Sequence, residues 1–155
     1  MYNSLAIVLH MLASAVWVGG MFFAYMALRP AAAELLDPPP RLQLWAGSFR
    51  RFFPWIWLVV IALPLSGYWI IQNVYQGMAM SPLHVHLMNG IGTVMILIFV
   101  YIFFMPYRRL KRAVVQENWQ AGGGALAQIR RMVGINLILG LVTIAVAAAG
   151  RYPLW

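Results

Sequence analysis

The chain has 155 residues, of which 63% are apolar and 9% charged; its formal net charge is +8 and its mean hydropathy +0.78. A soluble domain carries roughly 45–50% apolar and about 25% charged residues, so this composition excludes a water-soluble globular protein. Four apolar runs, each near the roughly 20 residues that cross a bilayer core, use up most of the length, which predicts an all-α integral membrane four-helix bundle as a single domain.

The first run, Ser4 to Leu28, contains no Lys, Arg, Asp or Glu. It exceeds the roughly 7–15 residues of a signal-peptide core and has no basic flank, so it is expected to be retained as a span. His10, Trp17, Gly19 and Gly20 lie within it. The segment from Arg29 to Arg51 follows, with Arg29, Arg41, Arg50 and Arg51. Pro38, Pro39 and Pro40 punctuate it, and LQLWAGSFRRF reads as a short amphipathic helix lying at the membrane surface. The second run, Phe52 to Ile71, includes Pro54 and Pro64, which predict kinks rather than breaks. Gln72 to Pro82 has no formal charge and carries Met78 and Met80.

The third run, Leu83 to Met105, opens on His84, His86 and Met88, with Asn89 and Thr93 beyond them. Tyr107 to Arg131 carries Arg108, Arg109, Lys111, Arg112, Arg130 and Arg131, and its Gly122, Gly123 and Gly124 predict a flexible connection. The fourth run spans Met132 to Ala149. Its Asn136 is expected to pair with Arg130 or Arg131, and Arg151 follows beyond the run. Small residues at Gly19, Gly20, Gly90, Gly92, Gly134 and Gly140 are expected to let the helices approach closely.

Ten of the eleven basic residues fall in the two long connections. Basic residues near span ends stay on the cytoplasmic side, which predicts both termini on the outer, periplasmic side. The positive charge is then accounted for by topology and by the lipid bilayer, and a nucleic-acid partner is not expected.

Without cysteine, the chain has no disulfide, no thiolate metal site and no cysteine nucleophile, so histidine and methionine must carry any metal. All three histidines fall toward the outer ends of two spans. An ionisable residue inside a membrane usually faces the bundle interior, and a bundle metal site is built from inward side chains on facing helices. His84 and His86 point about 200° apart on a helix, so one is expected to bind and the other to orient or face the headgroups. Met78, Met80 and Met88 flank this pair, and thioether with imidazole suits copper, above all Cu(I). The ordinary reading of each methionine is packing. Trp17, two turns below His10, is placed to wall a flat cofactor or to fill the core. Arg151 is placed to pair with an anionic group such as a haem propionate or to snorkel at the interface.

LHMLASAVWVGGMFF, with His10, Trp17, Gly19, Gly20 and Phe22, resembles the opening helix of the CopD family of copper-resistance membrane proteins. The same His and Trp also resemble the first helix of the HemJ-like four-helix family, in which that histidine is implicated in haem b binding. PLHVHL resembles the entrance to that family's third helix, with His84 at its histidine and His86 where its lysine stands. IRRMVGIN is similar to the segment before its last helix. These resemblances imply a home in the bacterial inner membrane.

Two functional classes follow, with a narrow preference for the first. It is a b-type haem protein with His10 and either His84 or His86 as axial ligands, a membrane oxidoreductase passing electrons between quinone and a redox partner or acting on a porphyrin. The second is CopD-like copper binding or transport through His10, His84, His86 and nearby methionines, with Met21, Met26, Met95 and Met105 as the candidates for a path across the membrane. A third reading is a structural or assembly subunit of a membrane complex, or a homo-oligomer. No catalytic residue is assigned.

Overall fold

Hydrocarbon offers no water to backbone N–H and C=O groups, so an apolar chain must close its hydrogen bonds along itself. The computed structural model describes residues 2–151, and among them helix is almost continuous and no strand occurs. In chain order the elements are α1 (Tyr2–Phe23), a π-helical turn (Ala24–Leu28), α2 (Arg29–Leu35), α3 (Pro38–Asn73), a 3-10 turn (Met78–Met80), α4 (Leu83–Phe104), α5 (Pro106–Val115) and α6 (Trp119–Arg151). These make four rods, Tyr2–Leu35, Pro38–Asn73, Leu83–Val115 and Trp119–Gly150, each long and apolar enough to cross a membrane. The chain is a multi-pass membrane protein.

The rods are longer than the apolar runs alone indicate. At 32 to 36 residues and 1.5 Å per residue, each reaches roughly 50 Å, against about 30 Å of hydrocarbon. The excess lies at the end that carries the arginines. There the structure corrects two expectations. LQLWAGSFRRF is not a separate surface helix but the start of α3, which opens at Pro38 behind an extended Asp37 and runs unbroken through Pro54 and Pro64. Proline suits a first helical turn, where its missing N–H has no partner to lose. Gly122, Gly123 and Gly124 are not a flexible connection but part of α6, and a Cβ at Gly122 would come within 3.1 Å of Leu42.

The π-helical turn has a cause in the sequence. Pro30 lacks an N–H and its ring crowds the carbonyl four residues back, which disturbs a regular α-turn. The turn widens, and the Arg29 N–H donates to the carbonyl of Ala24.

α1 pairs chiefly with α3, and α6 packs along α4 and α5. Trp69 Nε1 donates to Asn3 Oδ1, which brings the end of α3 to the start of α1, while Gly150 near the end of α6 lies against His84 at the start of α4. The start of α1 and the end of α6 are therefore at one end of the bundle, and the arginine-rich connections at the other. The core is densest toward the arginine-rich end, where Phe53 stacks on Phe49 at 5.0 Å and meets Phe99 and Tyr107 edge-on at 5.5 and 4.8 Å. Trp57 and Phe103 extend the cluster. Such aromatic pairs each contribute about 0.5–1.5 kcal/mol beyond area burial.

Close approach is confined to some of the small residues. Gly20 seats the Phe52 ring, Gly134 the Tyr25 ring and Gly140 the Val18 side chain, whereas Gly19, Gly90 and Gly92 have nothing within 4 Å of a Cβ built on them. Overpacking costs about 1–3 kcal/mol, so Gly20→Ala is expected to lower thermal stability in detergent by that amount while Gly19→Ala leaves it unchanged. Paired melting curves of the two variants check this.

Candidate functional site

The chemistry-bearing side chains at the terminal end are set by their helices. His10 is half-buried on α1 and turned toward α3, where its Nδ1 lies 3.0 Å from Ser66 Oγ and its Cε1 stands over Gly67. Gly67 matters here because a side chain would occupy the space the imidazole uses. Ser66 Oγ is 2.6 Å from the Ala62 carbonyl and 3.2 Å from that of Leu63. A hydroxyl has one hydrogen, and a carbonyl can only accept it. If that hydrogen is given to the backbone, Ser66 Oγ accepts from His10, which puts the proton on Nδ1 and leaves Nε2 a free lone pair; the other tautomer would accept from the hydroxyl instead. A fixed N–H on one ring nitrogen is the usual way a protein presents the other to a metal.

The remaining histidines are held differently. His84, half-buried in the first turn of α4, lies against Gly150 of α6, and His86 is exposed. The two imidazoles diverge as the helical period requires. Among the described residues no three histidine or carboxylate side chains converge on a point that would hold a metal ion. His10 is directed at α3 and His84 at α6.

The methionines divide by environment. Met78 and Met88 are half-buried and Met80 is exposed, all at the terminal end. Met78 and Met80 ride on the 3-10 turn, which follows Gln76 and Gly77 at positive φ and is tied back by Ser81 Oγ donating to the Gly77 carbonyl. Gly77, at φ 114, takes a conformation few side chains tolerate. Within the bundle Met21 and Met95 are buried, while Met26 and Met105 face outward.

Trp17 is in the core, edge-on to Phe99 at 6.4 Å, so it joins the aromatic packing. The side chain of Arg151 lies outside the described residues. Thr93 donates to the Asn89 carbonyl within its own helix. Asn136 departs from its expected pairing: it does not reach Arg130 or Arg131 but is buried against α4, with Nδ2 3.4 Å from the Met95 carbonyl and Oδ1 without a partner. Its place on α6 turns it into the bundle, which its sequence neighbours could not reveal. Sequence reasoning also missed Ser66. Its signal was a hydroxyl beside a glycine, SG, on an apolar helix, which becomes meaningful only once α3 lies against α1.

This arrangement defines an integral membrane protein with an anchored imidazole near one end of a four-helix bundle. The profile of the family described as CopD, copper resistance protein D, matches residues 46–149, about two thirds of the chain. The chain belongs to the CopD family. No curated protein and no solved structure matches it. The matched stretch contains Ser66, Met78, Met80, His84, His86 and Met88, and His10 lies before it. Family membership favours a copper-related role and lends no support to the haem preference drawn from the histidines.

The Ser66 contact bears on which ring nitrogen of His10 carries the proton. In nitrogen NMR of histidine-labelled protein, His10 is expected to show the Nδ1–H form, and Ser66→Ala should shift it to a mixture of both forms; an unchanged spectrum in the variant would remove Ser66 as the anchor.

Proposed function

We propose that this protein binds copper ions at the terminal end of its bundle, with His10 Nε2 as the anchoring donor and the Met78, Met80 and Met88 thioethers completing the site. The carrying observation is the His10–Ser66 contact, which leaves one imidazole nitrogen free in a chain of the CopD family. Imidazole and thioether form a soft donor set that favours Cu(I) over hard cations. With the arginine-rich end toward the cytoplasm, the site opens on the periplasmic side of a bacterial inner membrane. Copper is the ligand captured there, and no redox step is required of the protein.

The geometry supports capture more than a finished conduit. A path across the membrane needs soft donors at successive depths, and of the candidates only Met21 and Met95 are inside the bundle. The haem reading needs two axial imidazoles on one iron, whereas His10 is turned to α3 and His84 to α6.

Metal analysis of detergent-purified protein loaded with Cu(I), alongside an absorption spectrum before and after dithionite, tests the reading. About one copper per chain and no Soret band are expected, with affinity falling at least tenfold in His10→Ala, since a lost donor of about 1.4 kcal/mol or more has that effect. A Soret band that vanishes in His10→Ala would replace copper with haem. Retention of neither metal would leave a structural subunit.

A further inference from the structure

The opposite end of the bundle carries a second arrangement, independent of the copper reading. α5 starts where the apolar run of α4 ends, with Met105 leaving helical geometry and Pro106 opening the new helix. Tyr107, Leu110 and Ala113 recur at helical spacing, are buried, and form the face that packs on the bundle, chiefly against α6. Burial of that face turns the other side outward. Arg108, Lys111 and Arg112 stand on the outward side at positions i, i+3 and i+4, and with Val115 and Gln116 they line one open depression of about 440 Å³. Sites for small ligands run from about 300 to 1,000 Å³.

Three features distinguish this face from a solvated run of charge. Its cations are seated on rings: the Arg108 guanidinium stands 4.8 Å from the centre of the Phe104 ring, and the Lys111 ammonium 4.9 Å from that of Tyr107. Such contacts restrain long side chains that would otherwise move freely. Its charge is also unbalanced, since Pro106 to Gln116 holds Arg108, Arg109, Lys111 and Arg112 and no acidic residue. Finally, the depression continues into an apolar strip. α4 exposes Leu97, Tyr101 and Phe104 at helical spacing, and the contact of Phe104 with Arg108 joins that strip to the cations. Cations above an exposed apolar strip, at the end of the hydrocarbon run, match the two halves of a lipid, whereas a free anion would use only the upper half.

We propose that the α5 depression binds the headgroup of an anionic phospholipid, with Arg108, Lys111 and Arg112 on its phosphate and an acyl chain along Phe104, Tyr101 and Leu97. Arginine forks fit phosphate oxygens in pairs, and lysine adds a point charge. Basic clusters just cytoplasmic of a span attract anionic lipid in general. Here the packing of α5 selects which cations do so, because Arg109 is exposed on the same helix but does not line the depression.

Native mass spectrometry of the delipidated full-length protein with added phosphatidylglycerol or phosphatidylcholine tests this, with a melting curve of each variant to confirm its fold. Wild-type protein is expected to retain phosphatidylglycerol over phosphatidylcholine, and excess inorganic phosphate is expected not to displace it. Arg108→Gln and Arg112→Gln should each weaken phosphatidylglycerol binding about fivefold, as loss of one basic residue at an anionic surface does, while Arg109→Gln changes it less than about twofold. Lys111→Arg, which keeps the charge, should bind as the wild type does. Equal losses in Arg108→Gln and Arg109→Gln would reduce the face to diffuse charge and overturn the site. Equal retention of the two lipids, or displacement of the lipid by inorganic phosphate, would overturn the anionic lipid as its occupant.

Discussion

The absence of water from the bilayer core constrains everything else in this protein. Each backbone polar group must find its partner within its own segment, which makes helices obligatory and removes the hydrophobic effect as a force between them. Cohesion must then come from packing. It is concentrated in the aromatic cluster around Phe53, where rings from α3, α4 and α5 meet edge-on, and in the seats that Gly20, Gly134 and Gly140 provide for Phe52, Tyr25 and Val18.

From this follows a division of labour along the bundle. Toward the arginine-rich end the helices extend past the hydrocarbon, the core is closed by aromatic rings, and charge gathers on α5. Toward the terminal end α4 has no buried residue before Met95, and the histidines and the Met78–Met80 turn stand where side chains are less enclosed. A ligand-capturing site belongs at such an end, where donors are reachable and can adjust. Two of the buried polar side chains, Ser66 and Asn136, illustrate the difference. Ser66 satisfies both its backbone and His10, whereas Asn136 has one amide nitrogen bonded to the Met95 carbonyl and its oxygen unpaired.

The CopD assignment and the anchored imidazole are separate lines of argument. The family match covers residues 46–149 and so does not include His10, while the contact that prepares His10 comes from Ser66, inside the matched stretch. The functional reading joins them across the α1–α3 interface. It moves the balance from haem, favoured on histidine spacing alone, to copper.

Composition and the four uncharged runs were enough to determine the membrane class, the number of helices and the gathering of basic charge at one end, because hydropathy and length act locally and need no partner. His10 was legible as a candidate for the same reason: an ionisable group in an apolar run is conspicuous wherever it points. Helix ends were less legible. The triplet of glycines and the LQLWAGSFRRF segment remain helical because Leu42 packs into Gly122 and α3 continues from its proline start, contacts made by residues distant in sequence. Only the tertiary structure decided that His10 is oriented by Ser66, that His84 is turned to α6, that Asn136 faces Met95, and that α5 turns Arg108, Lys111 and Arg112 outward. Helical period fixes the angle between two side chains on one helix, but the rotation of each helix against its neighbours is set by how their surfaces pack.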